Sequence, residues 1–328
     1  MRQELTFTSH GVSCAATYVP ATTPALAGPA GRPCVVMAHG FGGTRDSGLP
    51  AYAGAFADAG IDAFAFDYRG FGDSEGLPRQ DVSVRRQRQD YHAALAAARR
   101  LPGVDPDRIV LWGTSYAGGH VIAVAAQDAG IAAVISLTPA TDGLATLVHV
   151  VRRAGFGRLC RLAGHGVRDA ARALRGRAPH HVPVVGEPGS PAMMSLPDAL
   201  EIGASFAGPT FRNEVPARAA LKVGLNRPTV FAGRLACPIL VQVGTNDRVA
   251  PAGAARRTAR KAGPWAQLRE YPVDHLDVYA GPWQQRALAD QVDFALSVLT
   301  CPRSPRHHRG RTPPGSAPEA GPTAPVHP

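Results

Sequence analysis

The stretch "RIVLWGTSYAGGHVIAVAAQ", residues 108–127, decides the fold. "RIVLW" reads as a strand, "YAGGHVIAVAAQ" as a helix, and Ser115 stands at the junction between them. A tight strand-to-helix turn lifts the serine hydroxyl above the C-terminal edge of a sheet. It also sets that hydroxyl at a helix N-terminus, where backbone N–H groups point outward. The neighbours must be small, because such a turn brings strand and helix backbones close together. Gly113 precedes the serine, Ala117 follows it by two, and Gly118 and Gly119 come next. The strict G-x-S-x-G pattern thus fails by one methyl group, and the next smallest residue takes the place.

The same rhythm extends on both sides. Apolar, β-branched runs at 12–19, 34–39, 61–67, 108–112, 131–137 and 237–244 read as strands, with a weaker one at 266–272. Helical patterns lie at 49–59, 81–100, 116–128, 252–262 and 282–299. Several strands are apolar almost throughout, as expected of parallel strands covered on both faces. The alternation predicts an α/β fold with a doubly wound, mostly parallel sheet. No helical pattern separates the first two strand runs, which predicts an antiparallel hairpin at the N-terminus. Residues 141–231 carry helical pieces and proline-rich joints without a convincing strand, so they read as an inserted, mainly helical cap or lid. The core is then 1–140 together with 232–300. The tail, 301–328, is rich in Pro and Arg, has almost no large apolar residue, and reads as disordered.

The chain of 328 residues is long enough to bury a sizeable core. The N-terminus lacks the apolar stretch of a signal peptide, and no run reaches the ~18 apolar residues of a membrane helix. Five scattered cysteines, Cys14, Cys34, Cys160, Cys237 and Cys301, never form a CxxC pair. They read as reduced thiols, hence a cytoplasmic protein, with Cys34 and Cys237 as small core residues. His180–His181 and His307–His308 lack the spacing and companion ligands of a metal site, so neither metal nor cofactor is expected.

A serine alone is a weak nucleophile; it needs a base, and the base needs an orienting carboxylate. In this architecture the chain order is Ser, acid, His. "CPILVQVGTNDRVAP" offers Asp247 just past a strand, and "REYPVDHLDVY" offers His275 just past the next. Both therefore emerge at the same sheet edge as Ser115. The backbone N–H groups of Phe41, in "MAHGFGG", and of Tyr116 are the candidate oxyanion donors, with Gly42 and Gly43 permitting close approach. Asp274 and Asp277, beside the histidine, compete with Asp247 for the role of acid.

The blocks "HGFGGT" (39–44), "DYRGFGDSEG" (67–76), "GTSYAGGH" (113–120), "GTNDRVAP" (244–251) and "DHLDVY" (274–279) resemble the α/β-hydrolase superfamily. Within it, the chain is similar to bacterial esterase-like and dipeptidyl-aminopeptidase-like hydrolases and to fungal polyketide transferases. The resemblance spans about residues 3–300 and implies Ser115 as nucleophile, Asp247 as acid and His275 as base. It departs from the family pattern at Ala117 and at Asp274, which stands where many relatives have glycine.

The expected activity is that of a serine hydrolase cleaving an ester, thioester or amide through an acyl-enzyme. The alternatives are transfer of the acyl group to a non-water acceptor, as in the polyketide transferases, or a non-catalytic binding module on the same body. Met193, Met194, Leu196, Phe206 and Phe211 are candidates to line an acyl pocket. His39, Asp67, Arg69, Asp73 and Ser74 read as residues that shape loops beside the site, and His120 as a packed core histidine. The net charge is +10, and residues 151–180 hold eight arginines and a single acid, Asp169. Arg168, Arg172 and Arg175 fall on one helical face opposite Val167, Ala171 and Leu174. That face suits an acidic carrier protein or a coenzyme A thioester. No nucleic-acid recognition motif accompanies the charge.

Overall fold

In the computed structural model, β5 (Val104–Thr114) runs through the interior of an eight-stranded sheet. The structure describes residues 2–300; the tail from 301, with Cys301 and the His307–His308 pair, lies outside the described residues. The other strands are β1 (Gln3–Ser9), β2 (Val12–Val19), β3 (Arg32–Ala38), β4 (Asp62–Phe66), β6 (Ile131–Leu137), β7 (Ile239–Gly244) and β8 (Ala266–Tyr271). Their spatial order is β1-β2-β4-β3-β5-β6-β7-β8. β1 and β2 are antiparallel, β2 and β4 are antiparallel, and every pair from β4 to β8 is parallel. The helices flanking the sheet are α1 (Leu49–Asp58), α2 (Val84–Ala98), α3 (Tyr116–Ala125), α7 (Ala252–Ala262) and α8 (Gly281–Leu299). Between β6 and β7 the chain adds α4 (Gly143–Ala154), α5 (Phe156–Leu174) and α6 (Ala199–Phe206).

The apolar runs become strands because both faces of the sheet are covered. Every residue of β4, β6 and β7 is buried, as are the last six of β5. Side chains such as Trp112 and Phe66 each contribute about 1.5–3 kcal/mol by leaving water. The buried polar groups among them are paired. Trp112 Nε1 donates to Gln291 at 2.7 Å, Gln291 Nε2 to Gln242 at 2.6 Å, and Gln242 Nε2 to Tyr271 Oη at 2.7 Å. This chain locks α8 beneath β5, β7 and β8. No helix among the described residues is long and apolar enough to cross a membrane.

Three features differ from the sequence reading. The N-terminal hairpin joins β1 to β2, turning at His10 and Gly11 with φ of 47° and 79°, whereas the run at 34–39 is a central parallel strand. β1 alternates polar and apolar residues because it is a sheet edge, so it lacks the continuous apolar signature. The inserted segment also contains two tiny ladders, Val215–Pro216 against His181–Val182 and Val185–Gly186 beside Met194–Ser195.

The third difference concerns α5. Val167 is 60% and Leu174 90% exposed, while Leu162, Gly166 and Asp169 face inward. Backbone packing, not apolar content, sets that face. A Cβ on Gly166 would lie 2.8 Å from Leu221 Cγ and 3.2 Å from Ala217 O, so the helix approaches the segment after it closely here. Asp169 is fully buried because it accepts hydrogen bonds from the His180 and Arg218 backbone N–H groups at 2.7 and 3.0 Å and pairs with the Arg218 side chain at 3.2 Å. Val167 and Leu174 therefore share the surface with the arginines rather than opposing them.

Candidate active site

Parallel strands bring their C-terminal ends to one edge, and the candidate residues stand there. Ser115 follows β5, Asp247 follows β7 by a short turn, and His275 follows β8. His275 Nε2 lies 2.9 Å from Ser115 Oγ, and its Nδ1 lies 2.7 Å from Asp247 Oδ2. The second carboxylate oxygen, Asp247 Oδ1, accepts from the Val249 and Ala250 N–H groups at 2.8 and 2.7 Å. All three side chains are buried.

Ser115 has φ 54° and ψ −113°, a strained conformation held by its surroundings. Its N–H donates to Leu137 O at 2.8 Å, and its carbonyl accepts from Ala140 N at 2.9 Å. The smallness the turn demands is sharpest at Gly113, where a Cβ would sit 2.4 Å from Ala117 O. Ala117 itself is fully buried, and its methyl is accommodated.

Asp274 does not reach the imidazole. Its Oδ1 accepts from Arg248 N at 2.8 Å and from His275 N at 2.7 Å, and its Oδ2 is paired with the Arg248 guanidinium. Asp277 in turn accepts from Asp274 N at 2.8 Å. These acids tie the loop bearing Asp247 to the loop bearing His275. Burial raises the Asp274 carboxyl, but the donors from Arg248 and His275 outweigh it and hold the group below its ordinary range. For His275, burial disfavours the charged imidazole, yet the charge and hydrogen bond of Asp247 outweigh burial and leave its pKa above the ordinary value.

The Phe41 N–H has no hydrogen-bond partner among the described residues, and the Tyr116 N–H is the first of α3, with no helical carbonyl one turn back. The two rings meet edge to face, 5.4 Å apart at 89°. The loop carrying Phe41 is braced from below. Arg45 N donates to Asp67 Oδ1 at 2.7 Å, the Arg45 guanidinium is paired with Asp67 and, at 2.8 Å, with Asp73, and Ser74 Oγ donates to Asp67 O at 2.7 Å. Arg69 is paired with buried Asp90. His39 is buried with Nδ1 3.0 Å from Gly40 O, and burial pushes its pKa down. His120 is likewise buried, 3.0 Å from Gln87 Oε1, and burial followed by the nearby Arg88 charge pushes it far down.

Two narrow arms open from Ser115. One, of about 60 Å³, is apolar and includes Leu49, Val184, Met194, Phe206, Phe211 and Tyr279 in its walls. The other, of about 80 Å³, runs past Tyr116, Met193, Met194, Val223, Asn226 and Val249. Met193, Met194, Phe206 and Phe211 thus all reach the space around Ser115, whereas Leu196 lines a separate cleft further out. Val184, Val185 and Tyr279 escaped the sequence reading. Tyr279 stacks on Phe206 at 4.7 Å and hydrogen-bonds Thr114 Oγ1 at 2.6 Å, and its place in "DHLDVY" was the available signal.

The serine aminopeptidase family, S33, matches residues 29–273. The quorum-quenching protein AidA of Acinetobacter baumannii (strain MDR-ZJ06) is 37% identical over 299 residues, 90% of this chain and 95% of that protein. The polyketide transferase grgF of Penicillium sp is 32% identical over 191 residues, 58% of this chain and 60% of that one. The crystal structure of the α/β hydrolase GrgF from Penicillium sp. sh18 has a TM-score of 0.72 at 24% identity, covering 91% of this chain and 99% of that one, which is likeness of fold. A family match over most of the chain, laid on this sheet and this serine turn, makes the chain a member of the serine aminopeptidase (S33) family of α/β hydrolases.

Proposed function

We propose that the protein is a serine hydrolase acting on a small-molecule ester or thioester, with amides open to the same attack. The observation that carries this reading is the hydrogen-bond chain from Ser115 through His275 to Asp247, at 2.9 and 2.7 Å. His275 takes the Ser115 proton as Oγ attacks the carbonyl carbon. Asp247 fixes the tautomer and stabilises the imidazolium. The Phe41 and Tyr116 N–H groups stabilise the oxyanion, an effect worth about 3–4 kcal/mol per donor in comparable enzymes. Collapse leaves an acyl-enzyme, which water cleaves. Residues 141–231 act as a cap that shapes both arms. A cytoplasmic site of action, read from the cysteines, belongs to the same proposal.

The test is intact mass after treatment with a serine-directed fluorophosphonate, followed by peptide mapping. A single adduct on Ser115, lost in Ser115→Ala, is expected. A protein that stays unlabelled with its arms open to a small probe overturns the reading and favours a binding module. The similarity to a polyketide transferase favours one second reading, transfer of the acyl group to an alcohol, amine or thiol. Added acceptors that divert product from the free acid would establish it.

A further inference from the structure

A third opening, a cleft of about 600 Å³, adjoins the arm that runs past Tyr116. Thr146, Met193, Met194 and Val249 line both spaces, so the two adjoin across these side chains. Two of the four are methionines, which re-pack readily around a ligand. The charged lining of the cleft is Arg153, Arg158, Arg161 and Arg248, with no carboxylate. Arg248 is taken up by Asp274. The other three contact no carboxylate among the described residues. Arg158 donates to the carbonyls of Ser190 and Ala192 at 3.2 and 2.7 Å, and Arg161 to that of Gly189 at 3.0 Å. These carbonyls hold two guanidiniums in place without neutralising them. Burial, followed by the Arg161 charge, disfavours the charged form of Arg158, a penalty that an incoming anion relieves.

Uncompensated guanidiniums lining a concave space attract anions, and their planar forks match phosphate oxygens. The volume lies in the range of small-molecule sites. Both arms are mainly apolar, but the one past Tyr116 shares Thr146, Met193, Met194 and Val249 with the arginine cleft and the other shares Met194 alone, so the arm past Tyr116 suits the leaving group and the other the acyl chain. We propose that this cleft is a subsite for a multiply phosphorylated, nucleotide-sized leaving group of the acyl donor, held by Arg153, Arg158 and Arg161. The inference rests on the serine-hydrolase reading. With a thioester, Ser115 Oγ bonds to the carbonyl carbon and its proton passes to His275. The C–S bond then breaks, and the sulfur takes that proton from His275 and leaves as a thiol past Met193 and Met194. Water hydrolyses the acyl-serine and restores the hydroxyl.

The test is equilibrium binding to the full-length Ser115→Ala protein, so that turnover plays no part. The probes are coenzyme A and pantetheine, which shares the thiol arm but has no phosphates. Coenzyme A should bind about tenfold more tightly or better, and the gap should shrink with rising ionic strength. Arg153→Gln/Arg161→Gln should shrink it too, with an unchanged melting temperature marking an intact fold. Should that variant fail to fold, the salt dependence of the unsubstituted arginine cleft decides alone. Equal affinity for the two probes, or a preference indifferent to salt, overturns the subsite. So does binding of a phosphopantetheinylated carrier protein without binding of coenzyme A. Failure of the hydrolase reading has a separate signature, an unlabelled Ser115 beside an intact preference for coenzyme A.

Discussion

Replacing Asp247 by asparagine tests the site through a conflict built into its hydrogen bonds. One carboxylate oxygen accepts from two backbone N–H groups at 2.8 and 2.7 Å, and the other faces His275 Nδ1 at 2.7 Å. An asparagine here has one acceptor oxygen and one donor amide. If the oxygen stays on the Val249 and Ala250 N–H groups, the NH₂ donates to His275 Nδ1. The imidazole proton then sits on Nε2, and the ring cannot take the Ser115 proton. If the amide flips, Nδ1 keeps its acceptor, but two buried N–H groups face an NH₂. Each lost buried bond costs about 1–3 kcal/mol, so the productive flip lies about 2–6 kcal/mol above the unproductive one. At 1.4 kcal/mol per decade this predicts a fall in kcat/KM of about thirtyfold to about 10⁴-fold. Asp274→Asn should cost less than about tenfold, because its oxygens hold backbone and Arg248 rather than the ring. The assay is kcat/KM on a short-chain chromogenic ester, with melting temperatures to establish folding. A folded Asp247→Asn protein within about tenfold of wild type, or an Asp274→Asn protein that falls further, refutes the assignment of the acid.

Because Asp247 holds the His275 pKa above its ordinary value, activity should rise with pH through a midpoint above about 6.5, when the imidazole becomes neutral. The stability contributed by that pair runs the opposite way: it is complete below about 6.5 and lost as pH rises through the folded-state value. A pH–rate profile with its rise below the ordinary histidine value would contradict this ordering. Gly113→Ala places a Cβ 2.4 Å from Ala117 O and should destabilise the protein by more than about 3 kcal/mol, whereas Ala117→Gly should cost about 1 kcal/mol. Urea midpoints that rank the two in the reverse order would show the tight contact to be misplaced. Asp169→Ala removes a buried acceptor of two backbone N–H groups and the Arg218 pair, so a loss of about 3–5 kcal/mol is expected. Hydrogen exchange should quicken first in α5 and the Arg218 segment, and uniform protection across the inserted segment would refute that role.

The parts that were legible in the sequence are those dictated by strand ends. Ser115 and Asp247 each follow an apolar run and His275 the weaker strand at 266–271, and parallel topology carries them to one edge whatever intervenes. The inserted segment obeys no such rule. Val184 and Val185 line the apolar arm from a segment whose only ladders are two residues long, and such ladders leave no periodic trace. On α5 the inward face is set by Gly166 and Asp169 rather than by Val167 and Leu174, because two orphan N–H groups and a close approach outweighed two exposed aliphatic side chains. The Gln242 and Gln291 chain was equally hidden, since glutamine inside an apolar run carries no mark of the partner it will meet.

This division bears on the choice between hydrolysis and transfer. In the proposed mechanism the leaving group departs along the arm past Tyr116, and the group that resolves the acyl-enzyme must attack the same carbonyl with its proton directed at His275 Nε2. Attack from the side that the leaving group vacated puts that proton within reach of His275 Nε2. At about 80 Å³ that arm has room for water, and the methionines that line it are side chains that re-pack easily around an alcohol or thiol. Hydrolase and transferase would therefore share every residue of the triad and differ in how Met193, Met194 and Val249 close behind the departing group. Substitutions there should change the ratio of acid to transfer product while leaving the formation of the acyl-serine in place.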